Sequence, residues 1–550
     1  MIVRKLSLYF HTIRHLKFSQ IFWRIFRRLK VIDTSAQHVI DVRDYNNWHR
    51  VRLSSVQIVD RLSFNFLNRK HVFVQSVDWN TNDQEMLWLF NLHYFDDLNA
   101  PFELDRNTFM ENLLVDWIEN NPPLDGVGWE AYPLSLRIVN IIKWILNGQL
   151  TKPDVLYSLK RQTHILSQLV EYHLYGNHIL ANAKALIFSG LFFKGKQAEG
   201  WLDLGLKIFD EQLNEQILSD GGHFELSSMY QNIMLNDLLD LINISESYSH
   251  PKVIKFIDHW RSKASLMLTW ADTMKHPDGK ISFFNDAAFG IAPSHEQLND
   301  YARAIGVCKN EASKRIFKTT ELTSLSESGY FRVEQPNLVA ILDCAAIGPD
   351  YIPGHGHADT LSFELSLQNF RVLVNSGTSC YGTSLKRLGQ RGTAAHNTVT
   401  INGLDSSQVW SGFRVAKRAY PFGLMVDRSV DGVNISCSHD GYRRLKKPVV
   451  HNRVWGFSAD TLTITDRLIG KFKTGSAHYL FHPDIQIYDN NNCFTLVLPN
   501  EAKVTLKISG GKGRLIETFW HSEFGKSVAS LGMVVEFTED VVVISIKGFT

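Results

Sequence analysis

At 550 residues the chain is too long for one hydrophobic core, so two or more domains are expected. Hydrophobic residues make up 44% and charged residues 21%, and a formal net charge of +2 excludes a global pull on nucleic acid. Five scattered cysteines (Cys308, Cys344, Cys380, Cys437, Cys493) without a CxxC speak against a disulfide framework or a cysteine zinc finger, and fit a reducing compartment.

The first 30 residues hold eight Lys/Arg and no Asp or Glu. Cations interrupt every apolar run and no small-residue cleavage site follows, so a standard signal peptide is not expected. No apolar run reaches the roughly 18 residues of a membrane-spanning helix. From Ser19, read as an N-cap, Phe22, Ile25, Phe26 and Leu29 recur at helical spacing with Arg24, Arg27, Arg28 and Lys30 between them. The pattern predicts a basic amphipathic helix, lying either on an anionic membrane surface or on the protein's own body. The expected location is cytoplasmic or peripheral at the inner membrane, with the periplasm open.

Residues 1–83 read as this basic segment and a lead-in, 84–320 as a helical domain and 321–550 as a strand domain. In the helical part, FELDRNTFMENLLVDWIENN, EAYPLSLRIVNIIKWIL, PDVLYSLKRQTHILSQLVEYHL, GNHILANAKALIFSGLFF and MYQNIMLNDLLDLINISESY carry apolar residues at i, i+3, i+4 and i+7. Their breaks hold Pro, Gly or Asn, which predicts helical hairpins curling into a toroid or solenoid. After about residue 325 the period becomes two, as in YFRVEQPNLVAILDCA, LSFELSL, FRVLVNSG and VVHNRVWGFSADTLTITDRLI. An antiparallel sandwich is expected, the boundary falling between residues 306 and 328. A ligand site is expected in the groove between the halves.

Four stretches place polar residues where packing does not ask for them. In 172-YHLYGNHILANAKAL-186, Asn177 and His178 open an Ala-rich helix, where Asn177 could also be a simple N-cap. In 219-SDGGHFELSSMYQN-232, a Gly-rich turn presents His223, Glu225 and Tyr230, with Ser227 or Ser228 able to cap the helix. The third, 354-GHGHADTLSFEL-365, sets His355 and His357 two apart, on one face if the stretch is a strand. In 391-RGTAAHNTVTING-403, His396 stands at a strand mouth. His355, His357 and His396 with a nearby carboxylate suit a zinc site, a catalytic group, or one of each.

Together YGNH (175–178), DGGHFELSSMY (220–230), GHGHAD (354–359) and RGTAAHNT (391–398) resemble the heparinase II/III-like polysaccharide lyases, which include alginate lyases. The stretch 121-NPPLDGVGWEAYPLSLRIVN-140 resembles the branch found with bacterial surface-polysaccharide genes. The resemblance implies an α+β multidomain fold, an N-terminal incomplete (α/α) toroid followed by a C-terminal antiparallel β-sandwich. It implies eliminative cleavage of a uronic-acid-containing glycan: the C5 proton is removed and the 4-oxygen leaving group protonated. On it, Asn177 would donate to the uronate carboxylate and Tyr230 would be the acid for the leaving oxygen or the base. His178 and His355 would flank the reacting carbons, either able to act as base.

Arg137, Glu225, Arg387 and Arg391 are candidate substrate binders. The family's metal site, commonly zinc, would fall on His357, Asn375 and His396, where Asn375 replaces an aspartate; a neutral amide is the poorer ligand. Gln231 stands where many relatives have histidine, a departure expected to touch substrate choice. The partner expected is an acidic polysaccharide or oligosaccharide, with no nucleic acid, and with peripheral membrane contact through residues 1–30; oligomeric state is not readable. Two other readings stand beside this one. A glycoside hydrolase would use Glu225 with Asp286 as its carboxylate pair, and a non-catalytic glycan-binding or assembly protein would keep the scaffold without the chemistry.

Overall fold

The computed structural model describes residues 2–35, 40–101, 106–149, 151–308, 320–429 and 432–549, with side chains from residue 5 onward. Two short helices come first, α1 (Ile2–Ile13) and α2 (Phe18–Leu29). The hairpin β1 (Ser63–Phe66) and β2 (Arg69–Val72) follows. The toroid helices are α3 (Met86–Tyr94), α4 (Arg106–Asn120), α5 (Ala131–Leu146), α6 (Pro153–Leu169), α7 (Gly176–Phe192), α8 (Lys196–Gln216), α9 (Ser228–Tyr248), α10 (Pro251–Thr273) and α11 (His295–Ala304).

Each long helix repeats the apolar spacing seen in the sequence, and those faces meet in one large core that includes Trp88, Trp117, Trp144, Leu186 and Trp260. α7 is buried almost all round, which its run of Ala, Leu, Ile and Phe requires. The expected cap at Ser19 is displaced: Lys17 is the N-cap of α2, and the Gln20 side chain accepts its backbone N–H at 2.9 Å. Ser227 does cap α9, accepting from the Tyr230 N–H.

The boundary expected between residues 306 and 328 falls largely on 309–319, outside the described residues; α11 ends at Ala304 and the next element begins at Glu321. That element starts an antiparallel five-stranded sheet: β3 (Glu321–Leu325), β4 (Tyr330–Gln335), β5 (Leu338–Asp343), β6 (Phe363–Leu367) and β7 (Phe370–Leu373), in that order. An eight-stranded antiparallel sheet spans Pro421 to Lys547, and its alternating strands, such as Val449–Ser458, bury every second side chain. A four-stranded sheet completes the sandwich around Phe363, Trp455, Tyr479 and Ile544.

Polar contacts sew the two halves together. His276, after α10, bonds Glu364 of β6 at 2.9 Å, and Arg371 of β7 reaches Asp278 at 2.7 Å. The Tyr330 hydroxyl donates to the carbonyl of Leu226, just ahead of α9, at 2.9 Å. These joints bring the loops that lead into α7 and α9 against the 349–361 loop of the sandwich.

Candidate active site

Asn177 lies in the first turn of α7, not at its cap. Tyr175 takes the cap position with φ +64° and ψ −152°, and Gly176 follows at φ +59°. A Cβ on Gly176 would stand 2.5 Å from a Glu225 oxygen, so that position needs glycine. Leu226 (φ +57°), Asn285 (φ +57°) and Leu361 (φ +64°) are likewise left-handed beside Glu225, Asp286 and Asp359. Such conformations cost on the order of 1–3 kcal/mol each and gather at functional sites.

Glu225 links the toroid group. Its Oε1 accepts the Asn177 backbone N–H at 3.2 Å and the side-chain amide at 3.4 Å. Its Oε2 has no hydrogen-bond partner and lies 3.6 Å from His355 Nε2. His178 bonds Glu171 at 3.2 Å and rests on the Tyr132 ring at 4.5 Å. Burial opposes a charged His178, but Glu171 outweighs it and, with Glu225 and Glu130, raises the imidazole pKa above 6.5. The Tyr230 ring lies against the His355 ring at 4.1 Å, and its hydroxyl meets that of Tyr381 at 2.9 Å. Burial, then the neighbouring Tyr381 and Asp286, push the Tyr230 phenol well above 10.

The two histidines do not share a strand face. Residues 354–361 are an irregular loop ahead of β6, and both imidazoles clamp one carboxylate, Asp286. His355 Nδ1 meets Asp286 Oδ2 at 2.8 Å, and His357 Nε2 meets Oδ1 at 2.8 Å. Arg387 grips both oxygens, with Nη2 to Oδ2 at 2.6 Å, and Thr378 donates to Oδ1 at 3.2 Å. Burial alone would raise the Asp286 carboxyl, but Arg387 and the two imidazoles hold it well below its usual range. Asp286 is fully buried and both its oxygens are taken up by Arg387, His355, His357 and Thr378, which leaves it no free lone pair to serve as the nucleophile or base of a Glu225–Asp286 hydrolase pair.

Three candidate anion holders are corrected. Arg137 is fully buried in the toroid core and does not line a cleft. It donates to Gln162 at 2.9 Å and to the carbonyls of His93 and Gly128 at 3.1 and 2.9 Å, stacked 3.8 Å over Trp117. Arg391 is equally buried and spends its donors on Gly356 O at 2.7 Å and Gly412 O at 3.0 Å, bracing the loop that carries His355. Arg387 is committed to Asp286. Gln231 is also scaffold: it accepts the His223 N–H at 2.7 Å and donates to Gly221 and Met267 carbonyls. Glu225, by contrast, keeps one oxygen free toward His355.

At the candidate metal position, His357 Nδ1 and His396 Nε2 face each other at 3.2 Å. Asn375 lies alongside, its Oδ1 3.4 Å from the Asn397 N–H and its buried Nδ2 without an acceptor. Turning that amide over would present its oxygen where no acceptor now stands. Among the described residues no three His, Cys, Asp or Glu side chains gather as a metal site. The structure brings two neutral imidazole nitrogens together there, with Asn375 joined to the His396 segment through Asn397.

Tyr381 and Glu171 are the participants that sequence reasoning gave no place in this site, and Asp286, named there only as half of a hydrolase pair, holds both imidazoles instead. Asp286 had a signal, an acid between apolar residues in FNDAAFG; Tyr381 and Glu171 had none of comparable strength.

A toroid and a sandwich that meet at Asn177, Tyr230 and His355 define a family, and the chain belongs to it: the heparinase II/III-like family. "Heparinase II/III N-terminus" matches residues 33–307 and "Heparinase II/III-like, C-terminal" matches 318–547. The chain is 24% identical over 479 residues to a heparin-sulfate lyase of Bacteroides stercoris, covering 78% of this chain and 69% of the relative. It is 25% identical over 309 residues to FtsZ-localized protein C of Caulobacter vibrioides, covering 53% of this chain and 48% of that one. A crystal structure of heparinase III superposes with a TM-score of 0.71 at 15% identity, covering 96% of this chain and 89% of that chain.

Proposed function

We propose that the chain is a polysaccharide lyase that breaks an acidic, uronate-containing glycan by β-elimination and leaves an unsaturated uronate. The observation that carries this is the ring-to-ring contact of Tyr230 with His355, with Asn177 tied to the same cluster through Glu225.

The chemistry follows from the protonation states. Nδ1–H of His355 donates to the anionic Asp286, which leaves the Nε2 lone pair facing the cluster as the base for the C5 proton. Tyr230 keeps its proton at neutral pH and gives it to the 4-oxygen as the C4–O bond breaks. The electron pair from C5 forms the C4–C5 double bond. His355 is left protonated and Tyr230 ionised, and both reset by exchange with solvent. His178, held toward its cationic form, and Asn177, in the first turn of α7, offset the uronate carboxylate whose charge opposes a C5 carbanion. The buried Glu225 carboxylate, 3.6 Å from His355 Nε2, favours the imidazolium that forms when His355 takes the C5 proton.

A divalent cation such as zinc is proposed at His357, His396 and Asn375, where it would brace the domain junction. Chelator is expected to lower the melting temperature of protein purified without it, and Asn375→Asp to raise its metal content. The branch resemblance supports a bacterial surface polysaccharide or exopolysaccharide as substrate. The function is tested with a panel of uronate polymers by following ultraviolet absorbance of the new double bond. Growth of absorbance is expected. New reducing ends without absorbance mean hydrolysis, and retained binding with neither means a binding module.

A further inference from the structure

α1 and α2 are docked on the protein with their amphipathic sense reversed. The α2 face turned inward is polar: Ser19 Oγ meets the Tyr175 hydroxyl at 2.9 Å, Gln20 Nε2 donates to Tyr351 O at 3.3 Å, and Lys30 donates to Gln168 O at 2.9 Å. Lys17 pairs with Glu215 and lies 3.9 Å over the Tyr351 ring. Trp23, stacked on Tyr172 at 4.8 Å, is the main apolar anchor. α1 is held at Thr12, which accepts from Trp410 Nε1 at 3.1 Å. The apolar residues point the other way. Phe18 is 82% exposed, Ile25 60% and Leu29 76%, and on α1 Leu6, Phe10 and Ile13 are exposed too. Positions 18, 22, 25 and 29 form one stripe along α2. A helix packed only for stability buries its apolar face and exposes the polar one.

We propose that the outward face of α1 and α2 is a docking surface for an anionic lipid bilayer. Charge complementarity selects this occupant. Residues 1–30 carry eight cations and no acid, and Arg24 and Arg28 have no ion-pair partner among the described residues. Covering the stripe with a second copy would set these cations against their own kind with nothing to offset them. A bilayer takes the aromatic and aliphatic side chains into its interface and meets the arginines with phosphate headgroups. The surface also has a place relative to the chemistry. Tyr175 stands two residues before Asn177 and Tyr351 four before His355, so the helices sit on both loops that enter the active site.

This surface goes beyond the lyase reading and stands apart from it, because its test needs no substrate. The full chain is sedimented with vesicles rich in phosphatidylglycerol and with vesicles of phosphatidylcholine alone. Strong binding to the first, falling with added salt, and weak binding to the second are expected. Phe18→Glu with Leu29→Glu should weaken binding about tenfold or more with an unchanged melting curve. Arg24→Gln with Arg28→Gln, a milder pair, should weaken it severalfold. Wild type left in the supernatant, or equal binding by both double variants, overturns the proposal. So does a lipid-free dimer that the glutamates dissolve, which would assign the face to a second copy.

Discussion

The toroid and the sandwich furnish the site in different ways. The toroid offers Asn177 and Tyr230 from the first turns of α7 and α9, where a helix fixes direction and the backbone N–H groups add positive potential. The sandwich offers His355 from an irregular loop whose shape depends on Arg391 bonding Gly356 and on Arg387 pinning Asp286. Helical groups are held by local structure. The loop imidazole is held by a buried ion cluster that spans the domain joint, since Asp286 follows α10 and Arg387 lies in the short helix Leu385–Arg391. The lesson is that the sandwich's share of the site depends on a long-range ion cluster as well as on its own chemistry, whereas Tyr230 of the toroid should fail through loss of chemistry alone.

The sharpest break is on the two groups in ring contact. Tyr230→Phe and His355→Gln should each lower kcat by about 10²–10⁴-fold with KM little changed, read from initial rates of double-bond formation. A wild-type rate in either removes that residue from the chemistry. The next effect distinguishes the halves. Asp286→Asn strands Arg387 in the interior and should cost about 3–5 kcal/mol in urea unfolding, besides the lost rate. Unchanged stability would mean that the cluster does not hold the loop.

A smaller effect is expected in the toroid core. Arg137→Met gives up its hydrogen bonds to Gln162 and to the His93 and Gly128 carbonyls, and should cost about 1–3 kcal/mol while KM stays put. A raised KM at full stability would return Arg137 to the substrate.

The mildest is a pH effect at His178, faced by Glu171, Glu225 and Glu130. Its folded pKa is raised, so its contribution to stability is full below pH 6.5 and lost as pH rises through the folded value. Wild type should therefore lose its stability margin over His178→Gln between slightly acid and alkaline pH, seen as converging melting curves.

The division between the halves also explains what the sequence discloses. Helix positions, the change of period near residue 325 and the placing of Asn177, His178 and Tyr230 are local facts, written in spacing and in turn residues. α5 and α7 begin and end within a residue or two of their apolar patterns. The same patterns misplace Arg137, because an arginine on a helix face reads alike whether it meets solvent or lies over Trp117. Asp286 draws its role from residues 69 to 101 positions away, His355, His357 and Arg387. No spacing rule connects these. The HxH pair invites a strand and a metal, whereas the loop folds both rings onto one carboxylate, passing so close to Ile347 O that a Cβ on Gly356 would stand 2.5 Å from it.

The division of labour across the joint is tested most directly by exchange at C5. Each variant is incubated with a uronate oligosaccharide in deuterated water, and deuterium at C5 is followed by mass spectrometry alongside cleavage. With His355 as base and Tyr230 as acid, Tyr230→Phe should exchange the C5 proton without cutting the chain, and His355→Gln should do neither. Exchange that survives in His355→Gln and vanishes in Tyr230→Phe would contradict that assignment.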